Sequence, residues 1–125
     1  MIYTLSDGEE VGIRISFSAL YKVRENHKDA YQRYNDAKKR LYAGQVEDDF
    51  DYAQIIYIGY LCEKERERFD NMAETDGAMP FLEFLEKMPD GMVDAMTIAT
   101  ELISPKKKRA SVMPSKSGQK NSTGA

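Results

Sequence analysis

A single cysteine, Cys62, and a single histidine, His27, are all that this 125-residue chain offers to thiol or imidazole chemistry. One cysteine closes no internal disulfide, and one histidine leaves no partner set for a zinc site. The longest apolar run, Ala53 to Cys62 with Gln54 inside it, is too short to span a bilayer. The first residues, Met1 to Asp7, show no basic segment followed by an apolar one, so a protein that stays where it is made is expected. The eight glycines are scattered, and neither a GxxxxGK nor a GxGxxG phosphate cradle occurs. The acids of Glu47-Asp48-Asp49-Asp51 miss the calcium-loop spacing, which needs a glycine at the sixth position and a terminal glutamate. They read as a solvated helix start. No nucleophile motif pairs Cys62 with His27, so Cys62 reads as a small buried hydrophobe and His27 as a rim residue of a helix. No catalytic residue, cofactor site or metal site is expected.

What the chain does have is a sharp split of charge. Residues 104–125 carry six basic residues and no acid, for +6, while residues 1–103 carry −9, giving the overall −3. The tail contains Lys106, Lys107, Lys108 and Arg109 and is rich in Ser, Gly, Pro and Asn. With little apolar surface to offset its ordering entropy, 104–125 is expected to be a disordered basic tail after an ordered domain of residues 1–103.

Within 1–103, alternation of Tyr3 and Leu5, then of Val11, Ile13 and Ile15, around Ser6-Asp7-Gly8-Glu9 predicts a β-hairpin. Such a hairpin is marginal alone and must dock on the helices or on another protomer. From Ser16 or Ser18 to Ala43 the residues Leu20, Val23, His27, Ala30, Tyr34, Ala37 and Leu41 form a stripe at heptad spacing, with Gly44 as the stop. One helix is the favoured reading, and a break between Glu25 and Asp29 is the alternative. The segment from Phe50 to Arg68 is apolar around most of its circumference in its first half, so it belongs at the centre of a bundle, and Gly59 predicts a close backbone approach. Pro80 opens a short helix, Pro89-Asp90-Gly91 closes it, and a last helix follows with Val93, Met96, Thr100 and Ile103 as its expected inward stripe and Ile98 and Leu102 alongside. The fold class is therefore mainly α: a short N-terminal hairpin followed by a bundle of about four helices.

Two features invite a functional reading. Residues Met72 to Met96 hold five of the seven methionines, and Phe81, Phe84, Leu85, Met88, Met92 and Met96 are the candidate lining of a groove for an apolar helix. At these spacings each of the six also fits the core. On the groove reading, Phe84→Asp abolishes partner capture with helicity intact; on the core reading it unfolds the domain. The second feature is Lys106-Lys107-Lys108-Arg109, which fits a basic import signal or a salt-dependent phosphate-binding arm. It supports the competing reading, a small helical regulatory or nucleic-acid-binding module acting through its tail.

The order of elements, with Phe81-Leu82-Glu83-Phe84-Leu85-Glu86-Lys87-Met88-Pro89-Asp90-Gly91 before a final amphipathic helix that runs into Lys106 to Lys108, resembles a small tail assembly chaperone of long-tailed (siphovirus-type) bacteriophages. The resemblance implies a non-enzymatic protein of the bacterial host cytoplasm, absent from the mature virion. It would bind the tape measure protein, keep it soluble and help recruit tail tube protein; self-association is expected of a protein that coats a long partner, while the short apolar runs argue against a membrane partner and the acidic body against nucleic acid. It also implies a longer product made by ribosomal frameshifting, with which Lys106-Lys107-Lys108 is compatible. The residues from Arg109 to Ala125 find no counterpart in that pattern.

Overall fold

The structure, a computed structural model, describes residues 1–46 and 48–104, apart from the Met92 side chain. The expected basic tail with Lys106, Lys107, Lys108 and Arg109 lies outside the described residues. Strands β1 (Ile2–Thr4) and β2 (Glu10–Gly12) are antiparallel, with Tyr3 opposite Val11. Five helices follow: α1 (Phe17–Asn26), α2 (Lys28–Tyr42), α3 (Phe50–Asp70), α4 (Phe81–Lys87) and α5 (Met92–Ile103). The protein is mainly helical with an N-terminal hairpin, as expected. No helix among the described residues is long and apolar enough to cross a membrane.

The fifth helix arises because the long first helix is broken. His27 leaves helical geometry at φ −136° and ψ 65°, between the end of α1 and the start of α2. The polar side chains around the break bond to distant segments and offer no cap. Asn26 Nδ2 donates to Glu65 Oε2 at 3.3 Å, and His27 Nε2 lies 2.6 Å from Asp76 Oδ2. The break lets α1 and α2 each lie against α3 at its own angle, with Val23, Tyr34 and Ala37 buried against it.

Helix α3 is the central element. Every residue from Ala53 to Cys62 is buried, because α1 and α2, the hairpin, α4 and α5 all pack on it. Gly59 is the point of close approach: a Cβ there would sit 3.4 Å from both the Arg14 nitrogen and Leu102 Cδ1, and its carbonyl accepts a hydrogen bond from the Arg14 N–H at 3.1 Å. The hairpin therefore docks on its own chain through Leu5, Val11 and Ile13, and the Ser6 N–H is also bound to the Lys87 carbonyl at 2.7 Å.

Helix α5 turns a different face inward from the one expected. Ala95, Ala99 and Leu102 are buried and Ile98 and Ile103 half-buried, whereas Val93, Met96 and Thr100 are exposed. Small residues at i and i+4 allow α5 to come close to α3, where Leu102 meets Gly59. The larger Val93 and Met96 would hold the helices apart.

The reading of Glu47-Asp48-Asp49-Asp51 as a wholly solvated start also needs correction. Asp51 is 4% exposed and is held by Arg40, whose Nε and Nη2 donate to its two oxygens at 2.9 and 2.7 Å. This two-pronged bond ties the end of α2 to the start of α3.

Both helix ends flanking α3's two connections use the same backbone device. At the end of α2 the Gln45 N–H bonds to the Arg40 carbonyl and Gly44 adopts φ 69°; at the end of α3 the Ala73 N–H bonds to the Arg68 carbonyl and Met72 adopts φ 55°. Glycine takes that left-handed conformation freely, and a side chain pays roughly 1 kcal/mol for it. Met72 is 91% exposed, so its side chain recovers little by packing. Met72→Gly is expected to raise stability by about 1 kcal/mol, read as a shift of the urea midpoint with an unchanged slope.

The loop between Asn71 and Pro80 is anchored by Asp76. Burial pushes the Asp76 carboxyl up, but the Ala78 N–H and His27 together outweigh it and leave it below the usual carboxylate range. A folded-state value below the unfolded one means that the stabilisation is complete at neutral pH and disappears as the pH falls through the acid range. Asp76→Ala is accordingly expected to speed amide exchange in residues 72–79 at pH 7 and to reduce the difference in loop protection between pH 7 and pH 3.

Candidate functional site

Cys62 is buried and its thiol is pushed up to about 12 by that burial, so little thiolate exists at neutral pH. The Tyr57 phenol is likewise raised to about 12 by burial, and its hydroxyl donates to the Met79 carbonyl at 2.7 Å. His27 is engaged by Asp76 on the side of α3's far connection. No group of three or more metal-ligating side chains occurs among the described residues.

The six groove candidates do not share one surface. Pro80 precedes α4 in an extended conformation and starts a seven-residue helix with one fully buried residue, Phe84. Phe84 is 0% exposed, with ring centroids 5.0 Å from Tyr60, 5.3 Å from Tyr57 and 6.3 Å from Tyr3. It belongs to the core and is withdrawn from the groove. Phe81, half-buried, tilts against Tyr57 at 5.1 Å and faces a polar cavity of about 580 Å³ at the α1–α2 break, beside Gln54 and Arg33. Met96 is partly exposed on the outer face of α5. The Met92 side chain lies outside the described residues.

Leu85 and Met88 do come together. Both are half-buried and, with Phe50, Ala53, Pro89 and Ala95, they line a cleft of about 370 Å³ between the start of α3 and the corner joining α4 to α5. Its floor is apolar and its rim is acidic: Asp48, Asp49 and Asp90 stand around it. Among the described residues none of these three acids is in an ion pair with a basic side chain. Phe50, on the edge, is 60% exposed, and Leu82 and Val93 on α4 and α5 are also largely exposed.

Phe50, Ala53, Pro89 and Ala95 in the lining, and Asp48, Asp49 and Asp90 on the rim, are residues of the cleft that sequence reasoning missed. Phe50 was grouped with the apolar circumference of α3, yet its place directly after a run of acids, in the first turn, marks a helix end that packing covers on one side only. Ala53 and Ala95 carry no such signal, because alanine at a helix–helix contact and alanine at a cleft floor look alike.

The shape and chemistry suit an apolar side chain or one turn of an amphipathic helix whose flanks are basic. No protein-family model, curated protein or solved structure matches the chain.

Proposed function

We propose that this chain is a tail assembly chaperone of a long-tailed bacteriophage, a binding protein without enzymatic activity that seats an apolar helical segment of the tape measure protein in the α3–α4–α5 cleft. The observation that carries the reading is an open apolar floor, Leu85, Met88, Phe50 and Ala53, rimmed by three acids that are in no ion pair among the described residues. A long helical partner would be held by its apolar face and registered by lysines or arginines meeting Asp48, Asp49 and Asp90. The acidic character of residues 1–103 keeps such a complex soluble through like-charge repulsion between complexes. On the same reading, the protein acts in the bacterial host cytoplasm, helps bring tail tube protein to the tape measure protein, and is left out of the mature virion.

The test is Leu85→Asp. The side chain is half-buried at the cleft and not part of the fully buried core, so the fold should persist by far-UV circular dichroism. Losing a buried leucine side chain at an interface and placing a carboxylate there should weaken binding of the tape measure protein at least tenfold. Unchanged affinity would remove the cleft from the function.

A further inference from the structure

The acidic rim of the Leu85–Met88 cleft continues along α5. That helix carries Asp94 and Glu101 and no basic residue. Both acids are exposed, and neither is in an ion pair among the described residues. The outer side of α5 also leaves Val93 70% and Met96 41% exposed. A segment lying back along α5 into the cleft would meet acids and large apolar side chains on the way. The chain itself supplies the opposite charge where that path begins. Ser104 leaves α5 in an extended conformation, at φ −75° and ψ 143°. The sequence continues with Pro105, then Lys106, Lys107, Lys108 and Arg109, then Val112 and Met113, all outside the described residues.

The lengths agree. Gly91, in the cleft lining, lies twelve residues before Ile103, which at 1.5 Å per helical residue is roughly 18 Å. An extended chain covers up to about 3.5 Å per residue, so the five residues from Ser104 to Arg109 span about 17 Å, back to the level of the rim. Val112 and Met113, three and four residues further on, reach over the floor formed by Leu85, Met88 and Phe50. We propose that residues 106–113 dock in the cleft of the same molecule, the basic run along Glu101, Asp94 and Asp90 and the Val112–Met113 pair on the apolar floor. Opposite charges set the direction and register, and the apolar pair removes the floor from water. A tethered segment is presented at an effective concentration on the order of millimolar, so contacts too weak to hold a free peptide suffice. The docking follows from the cleft and the charge pattern; its consequence for an outside partner rests on the proposed function. For that partner the segment is a built-in competitor, and affinity falls with the fraction of molecules whose cleft is open.

The test uses the full chain with a nitroxide spin label on Ser111→Cys. Cys62 is buried with its thiol pushed up to about 12, so it is not labelled under native conditions. The amide resonances of Leu85, Met88, Asp90 and Ala95 should lose most of their intensity, to the same extent on dilution, and should recover it at high salt. Reversing the rim with Asp49→Lys/Asp90→Lys, both exposed positions, should abolish the broadening at the cleft, as should Lys108→Glu/Arg109→Glu. The two reversals combined in one chain should restore it. Cleft amides that stay sharp overturn the proposal, as does broadening indifferent to either reversal or not restored by their combination. Broadening of an unlabelled chain mixed with a labelled one would place the segment on a neighbouring copy and overturn it equally. With docking established in this way, Lys108→Glu/Arg109→Glu should bind a tape measure protein more tightly than wild type, by roughly tenfold where the docked form predominates. Docking without that gain would count against the proposed function, while the broadening would still uphold the docked segment.

Discussion

Phe84→Ala is expected to cost about 3–5 kcal/mol, the range for removing a fully buried aromatic ring from a core that cannot collapse around the gap. The ring sits among Tyr3, Tyr57 and Tyr60, which come from the hairpin and from α3. The same two α3 tyrosines hold the segment before α4: the Tyr57 hydroxyl donates to the Met79 carbonyl, and the Tyr60 hydroxyl accepts from the Met79 N–H at 3.0 Å. Removing the ring therefore loosens three elements at once. A loss of this size is a large part of the 5–15 kcal/mol that usually separates a folded domain from its unfolded chain, so Phe84→Asp should not fold at all. Urea unfolding of Phe84→Ala beside Leu85→Asp checks the point. Adjacent positions on one short helix should differ by more than 2 kcal/mol, with the core residue the costlier. Equal, small losses would place Phe84 at the surface.

Arg40→Met should be the most damaging change at the polar positions, costing about 3 kcal/mol. The guanidinium meets both oxygens of Asp51, a carboxylate at 4% exposure in the first turn of α3. Without the guanidinium that carboxylate stays in a dry site with its strongest donor gone, and the penalty is the desolvation of a charge more than the loss of the bond itself. The double variant Arg40→Met/Asp51→Leu should recover most of the loss, because an apolar pair of similar size removes the buried charge. A double-mutant cycle read by urea unfolding should give a coupling above 1.5 kcal/mol. A coupling near zero would mean that the pair is solvated and that the α2–α3 corner rests on packing alone.

These two sites show where sequence reasoning reached and where it stopped. The central helix was legible because an apolar run covering the whole circumference has only one place to go, and Gly59 within it pointed to the approach of the 13–14 backbone. Gly44 was legible as a stop because only the left-handed conformation at that position needs glycine. Met72 does the same work without glycine's signature, so the end of α3 left no mark of that kind. The heptad stripe from Leu20 to Leu41 ran unbroken through His27, and the break there is stabilised by Glu65 and Asp76, dozens of residues away. Local periodicity carries no information about such partners. On α5 the apolar residues outnumber those one face can bury, and the choice fell to the small face because Gly59 invites close packing; size complementarity across two helices is a property of the pair. The candidate site was half legible for the same reason. Leu85 and Met88 follow from the α4 pattern, but Phe84 and Leu85 are neighbours of similar character, and only the tyrosines of α3 decide which one is core.

The most direct measurement of the proposed function is co-expression of the full chain with a tape measure protein of a long-tailed bacteriophage, the partner proposed above. The wild-type chain should bring it into the soluble fraction and co-elute with it, and Leu85→Asp should lose both effects while remaining folded. Solubilisation that is indifferent to Leu85→Asp, or a tape measure protein that stays insoluble beside the wild-type chain, would contradict the cleft as the seat of a chaperone function.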